Sequence, residues 1–172
     1  MVKYLLGLLL VIVFASPAFA QDIPQIELGF GYGNFAMKNL HPDRHSGLAT
    51  HQTINLNSIF AIENYLGYYG FGTDPQFGKT ELITELFGGR VNYRTEGPVL
   101  YGTAGIGGGF LRFTDFGAGI NSFGVKYGGG IDIPFKESFA IKVEASRMSF
   151  HFLEQWNSGW NLSTGIVIKI AQ

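Results

Sequence analysis

Trp160-Asn161-Leu162-Ser163-Thr164-Gly165-Ile166-Val167-Ile168-Lys169-Ile170 is the stretch that decides the fold. A β-strand rises about 3.3 Å per residue and sends successive side chains to opposite faces. Trp160, Leu162, Thr164, Ile166, Ile168 and Ile170 therefore share one side, and Asn161, Ser163, Gly165, Val167 and Lys169 share the other. In a soluble sandwich the apolar side points inward and the opposite side is rich in charge. Here the second side is too small and too polar for an ordinary solvent face. That inversion reads as bulky side chains against lipid, with small and polar ones enclosed.

The other end of the chain sets the compartment. Residues 1–20 carry one basic residue, Lys3, then an apolar run from Tyr4 to Phe14, then Ala15-Ser16-Pro17-Ala18-Phe19-Ala20. This pattern predicts a secretory signal peptide cut after Ala20, because the run is too short to stay in a bilayer as a permanent helix. Residues 21–172 are then the mature barrel domain, with a net charge of -2 once Lys3 is lost from a chain of net -1.

Composition narrows the class. Charged residues are 15% of the chain, against about 25% in soluble domains. With 25 glycines and the 26 aromatics given by Phe 16, Tyr 8 and Trp 2, this suits a sheet facing lipid. No mature stretch reaches the ~20 apolar residues of a spanning helix, so a spanning chain must be a closed barrel. The absence of cysteine excludes a disulfide framework, which leaves ladder hydrogen bonds and apolar contacts to hold the fold.

The alternation repeats along the chain. In the first strand Ile26, Leu28, Phe30 and Tyr32 oppose Glu27, Gly29, Gly31 and Gly33. After a loop at 41–47 the second strand runs from Leu48 to Asn57. The third, from Ile59 to Phe71, sets Phe60, Ile62, Leu66 and Tyr68 against Ala61, Glu63, Tyr65 and Gly67, and a loop at 72–76 follows. In the fourth, Thr80 to Arg94, outward Phe87, Val91 and Tyr93 put Arg90 in the lumen but send Glu85 outward. A bulge, or a place near the headgroups, would accommodate Glu85. The fifth alternates Leu100, Ala104, Ile106 and Phe110 with Tyr101, Thr103, Gly105, Gly107 and Gly109. After a loop at 113–121, the sixth sets Phe123, Val125, Tyr127, Ile131 and Ile133 against Gly124, Lys126, Gly128, Gly130 and Asp132. The seventh places Phe139, Ile141, Val143 and Ala145 opposite Ala140, Lys142, Glu144 and Ser146, and a loop near 151–158 leads into the last strand. The fold class is all-β, an eight-stranded antiparallel up-and-down transmembrane barrel, with longer connections after strands one, three, five and seven on the external side.

Asn55-Leu56-Asn57 with Glu63 and Leu66-Gly67, Leu86-Phe87-Gly88-Gly89-Arg90, Tyr101-Gly102-Thr103-Ala104-Gly105 and Gly128-Gly129-Gly130-Ile131-Asp132-Ile133-Pro134 follow in order over nearly the whole mature chain. In that order and spacing the chain resembles the OmpA-like outer membrane protein β-barrel domain family. Ser163-x-Gly165-x-x-Ile168-x-Ile170 also resembles the C-terminal signal read by the barrel-assembly machinery. The chain departs from many bacterial members in ending Ile170-Ala171-Gln172 rather than on an aromatic residue, and no peptidoglycan-binding domain follows. The resemblance implies a stand-alone barrel in the cell outer membrane rather than a wall tether, with lipid and lipopolysaccharide as its surroundings and the assembly machinery as a partner.

An eight-stranded interior is just wide enough for side chains to fill, so no general pore is expected. Glu27, Glu63, Arg90, Lys126, Asp132, Lys142, Glu144 and Lys169 face inward on this pattern and are expected to pair, since buried charges need partners. A narrow ion path is the functional alternative. Some eight-stranded outer membrane barrels are lipid A deacylases with a His-x-Ser-Asn pattern; Ser149-Phe150-His151 with Glu154 has the residue types, but Leu153 stands two after His151 and no Asn follows it. The alternative reading makes these interfacial residues beside Phe150, Phe152 and Trp156 in an aromatic girdle. His41 and His45 with Asp43 have a four-residue spacing useful only on a helix, which Pro42 argues against. The glycine clusters lack the lysine and helix of a phosphate loop, and no basic cluster supports nucleic-acid binding. The expectation is a monomer with no catalytic, cofactor or metal residue and a structural or surface-interaction role. A lipid A-modifying enzyme and a soluble periplasmic ligand-binding barrel are the alternatives, the latter with Ile26, Leu28 and Phe30 turned inward.

Overall fold

The computed structural model describes residues 23–37, 44–74, 78–152 and 154–171. Eight strands run β1 (Ile26–Met37), β2 (Arg44–Asn55), β3 (Phe60–Asp74), β4 (Gly78–Arg94), β5 (Val99–Phe113), β6 (Ala118–Lys136), β7 (Phe139–Phe152) and β8 (Gln155–Ala171). Every strand pairs antiparallel with its neighbours in sequence, and β8 closes on β1.

Register fixes the stagger. Stepping from Glu27 to Thr53, Glu63, Gly88, Gly105, Lys126, Met148 and Gly159 returns to β1 at Met37, ten residues from the start. Closure of eight strands with such a shear tilts them by roughly 35–45°. Because β1 runs from the short-turn end (residues 56–59, 95–98 and 137–138) to the opposite, loop end, a path in register from β1 toward β8 climbs to the loop end.

The facing follows the period of two. Phe30, Tyr32, Ile106, Ile141, Leu162 and Ile166 lie exposed on the outside, while Glu27, Glu63, Arg90, Lys126, Asp132, Lys142 and Glu144 are buried inside. A soluble barrel with Ile26, Leu28 and Phe30 around a cavity has the opposite facing: Phe30 is 52% exposed on the outer wall.

Three expected loops are shorter than the sequence suggests. β2 starts at Arg44 rather than Leu48, β5 and β6 pair up to Phe113 and Ala118 around a 3₁₀ turn at Thr114–Phe116, and β7 and β8 pair up to Phe152 and Gln155. The residues at 38–43 and 75–77, with much of two expected loops, lie outside the described residues. Polar and glycine residues read as breakers still pair, because a hairpin that continues past the membrane keeps its ladder whatever its side chains. Gly78 marks the top of β4: its φ is +67°, and an added Cβ would clash with the Asp115 carboxylate, which accepts the Lys79 N–H at 3.0 Å.

Glu85 does point outward, opposite Leu66 and Gly108, and neither ladder of β4 is interrupted there. No bulge accommodates it. By the stagger it stands within about two residues of the level of Tyr32, Tyr68, Tyr127 and Trp160, an exposed aromatic belt of the kind that marks a headgroup region.

Candidate functional site in the barrel lumen

The lumen is stratified along the barrel axis. Toward the turn end, β1, β3, β4, β6 and β7 project four carboxylates, Glu27, Glu63, Asp132 and Glu144, and four bases, Arg90, Arg94, Lys126 and Lys142. These eight charges balance, which a low-dielectric interior demands, and the half-buried Lys169 adds a fifth base at the turn end.

The contacts are specific. Lys126 Nζ bridges Glu144 Oε1 at 2.9 Å and Glu63 Oε1 at 3.2 Å. Arg90 Nη2 donates to Asp132 Oδ2 at 2.6 Å, while its Nε donates to Asn92 Oδ1 at 2.6 Å. Thr103 donates to Glu63 and Tyr101 to Glu144, each at 3.1 Å. Glu63 Oε2 faces His51 Nδ1 at 3.6 Å, Lys142 Nζ at 3.8 Å and Arg90 Nη1 at 3.9 Å, so charge rather than hydrogen bonding holds that oxygen. The Arg90 guanidinium lies 3.8 Å, and Lys142 Nζ 4.2 Å, from the centre of the Tyr101 ring, and Lys126 Nζ 4.2 Å from that of Tyr65. Aromatic faces thus serve the cations where carboxylates do not reach.

Nearer the turns, Asn55 donates to Glu27 at 3.1 Å and accepts from Arg94 at 2.9 Å and Asn92 at 3.3 Å. Lys169 is half-buried here, beside Glu27 and Arg94, at a cavity of about 20 Å³, room for one water. It is the one expected member of the network that joins no ion pair among the described residues.

A middle layer is polar but uncharged. The Tyr65 and Tyr69 hydroxyls meet, Tyr69 donates to Asn161 Oδ1 at 2.9 Å, and Asn161 donates to Tyr65 at 3.4 Å and Ser146 at 3.5 Å. Above it the lumen is mostly apolar: Phe35, Met37, Leu82, Leu86, Leu111, Met148, Phe150 and Phe152 form a buried cluster, with the Phe35 and Phe150 rings edge to face at 6.2 Å, and His45 and Thr84 are buried at the same level. Phe150 lies flat on bare wall, since Cβ atoms added at Gly109 and Gly124 would sit 2.9 and 2.6 Å from its ring.

This corrects the girdle reading of Phe150 and Phe152. They share a face with Glu144, Ser146 and Met148 and fill the interior; Trp156 alone of the three is outside, its ring 5.3 Å from that of His151. Ser149 also faces outward, but its hydroxyl meets Ser158 Oγ at 2.7 Å, and no hydrogen bond joins it to His151 among the described residues. Glu154, exposed at φ 63°, occupies the tip of the β7–β8 hairpin. The residue types of a hydrolase are present here without its geometry.

His51, Glu63 and Glu144 have ligand atoms within 4.8 Å of one another. The Lys126 ammonium already bridges the two carboxylates, and Lys142 and Arg90 crowd the same oxygens, so an added dication would meet net repulsion. His45 is buried inside the barrel, whereas His41 and Asp43 lie outside the described residues.

The alternation puts Tyr65 and Asn161 on the inner face, though not in a cluster with Tyr69; His51, Arg94, Asn55 and Asn92 were not anticipated. Strand parity could have found them: His51 and Asn55 share a face with Thr53, and Arg94 and Asn92 share one with Arg90.

The same architecture recurs in solved structures. Neisserial surface protein A superposes with a TM-score of 0.64 at 10% identity, over 85% of this chain and 97% of that one. OprG from Pseudomonas aeruginosa gives 0.61 at 10% identity, over 86% and 96%. Ail, the attachment invasion locus protein of Yersinia pestis, gives 0.53 at 17% identity, over 83% and 96%. At these identities the likeness is one of fold. No curated protein matches the chain. A family model, however, matches residues 6–166, and by that match this chain belongs to the outer membrane protein beta-barrel domain family.

Proposed function

We propose that this small outer membrane barrel is a closed surface protein, neither a diffusion pore nor an enzyme, whose working parts are its external connections. The observation that carries the reading is the filled lumen: a ring of ion pairs, a Tyr–Asn layer and a mostly apolar plug in series among the described residues. Interior filling of this kind leaves specificity to the segments outside the wall. The geometry of Ser149, paired with Ser158, supports the non-enzymatic reading. Residues 1–20 act as the export signal, cleaved after Ala20, lipid and lipopolysaccharide surround the mature wall, and β8 presents the assembly signal.

Cell fractionation tests the location, and N-terminal sequencing of the membrane form is expected to begin at Gln21. Planar bilayers loaded with the folded protein test the closed lumen. Rare, small conductance events support the reading, while steady conductance that admits sugars refutes it. Incubation with lipopolysaccharide is expected to release no fatty acid; release that Ser149→Ala abolishes would establish the enzyme instead.

A further inference from the structure

Most of the outer wall is uncharged. Among the described residues, Lys79, Glu81 and Arg112 stand at the loop end and Lys136 at the turn end, and between them the wall carries only two charged side chains, Glu85 on β4 and Arg147 on β7. Their depths match. From Glu85 the register leads through Gly108 and Phe123 to His151, three strands on. A shear of ten over eight strands raises each step by about 1.25 residues, so the level of Glu85 falls about four residues below His151, at Arg147.

The surroundings of the two differ as hole and knob. Glu85 lies in a groove of about 450 Å³ on the outer wall, lined also by Ile83, Ile106, Gly108, Phe110 and Asn121. Directly beneath Glu85 stand Phe87 and Ile106, and below these Gly89, Gly102, Ala104 and Gly129 leave a nearly flat patch of wall; a Cβ at Gly89 would meet nothing within 4 Å. Arg147, half-buried, stands between the small side chains of Ala145 and Ser149 on its own strand and between Tyr127 and Trp160 on the neighbouring ones, its guanidinium 5.9 Å from the centre of the Trp160 ring. Neither charge has an ion-pair partner among the described residues.

We infer that the Glu85 groove receives Arg147 of a second copy of this chain, so that barrels associate side by side in the membrane. Two copies standing upright in one bilayer present these groups at the same depth automatically. The small-residue wall lets the backbones approach, as small residues do at helix interfaces in lipid. Removal from water at the headgroup level strengthens the pair relative to a solvated one. Since groove and knob are three strands apart, the contact is heterologous and propagates into rows or rings rather than stopping at a two-fold dimer. This goes beyond the expectation of a monomer.

The chain has no cysteine, so Ser138→Cys in an exposed turn gives one labelling position far from the contact. Donor- and acceptor-labelled barrels are co-reconstituted at low density in phosphatidylcholine vesicles, with folding followed by circular dichroism. Energy transfer several-fold above the random-dilution level is expected, falling to that level in Glu85→Arg and in Arg147→Glu, and returning in the double reversal. Should a reversal fail to fold, Glu85→Gln is expected to lower transfer at least twofold. Transfer at the random level in the unaltered protein, or equal in all variants, overturns the inference. So does random-level transfer with Glu85-dependent retention of ethanolamine phospholipid in native mass spectrometry, which would assign the groove to a lipid ammonium.

Discussion

The lower and upper halves of the lumen solve the same problem of filling an eight-stranded interior by opposite means. Near the turns, four carboxylates and four bases neutralise each other at 2.6–3.9 Å, with tyrosine faces completing the shell of the cations. Near the loops, phenylalanine, methionine and leucine side chains dominate, packed around the buried His45 and Thr84 on a wall stripped to glycine. The comparison teaches where each kind of stabilisation is vulnerable. An ion ring is sensitive to the loss of a single member, because the remaining charges stay buried; an apolar plug is sensitive to lost volume.

The largest effect is expected in the lower half. Glu63→Ala removes the carboxylate shared by Lys126, Lys142, Arg90 and His51, and should lower the unfolding free energy in vesicles by about 3–5 kcal/mol, measured by urea titration. Arg90→Leu should likewise lower resistance to heat in detergent, and an unchanged unfolding temperature would break the idea of a ring. In the upper half, Phe150→Ala should cost about 3 kcal/mol in the same titration, the penalty of a cavity. A smaller loss, about 1 kcal/mol, is expected for Tyr69→Phe, which takes one donor from Asn161 in the middle layer. The smallest net change sharpens the contrast: Lys126→Met with Glu144→Met, a matched removal, should lie within about 1 kcal/mol of the unaltered protein although Lys126→Met alone is costly. A double variant as damaged as the single one would mean that the ring is not organised in pairs.

Much of the wall was legible in the sequence, because a period of two combined with small inner residues leaves little freedom: the outward sets of β1, β3, β5, β6 and β8 hold residue for residue. The inward charges were legible as a group for the same reason. Their pairing was not, since Lys126 and Glu63 are 63 residues apart and meet only when the barrel closes. The apolar plug was hidden for a different reason. Close to the headgroups Phe150, Phe152 and Trp156 are all suitable for either face, so composition cannot separate interior from girdle and only the parity shared with Glu144 does. Loop lengths were misjudged because glycine and polar residues signal a turn in a short strand yet pair normally in a hairpin rising above the bilayer.

Everything depends on which face of the sheet meets lipid. Nitroxide labels on single cysteines at Leu28, Ile106 and Ile141, read by oxygen and nickel-chelate accessibility in vesicles, test it directly. High collision with oxygen and low collision with the nickel chelate at all three positions is the predicted result. Immobile labels shielded from both reagents, or labels open to the nickel chelate, would contradict it.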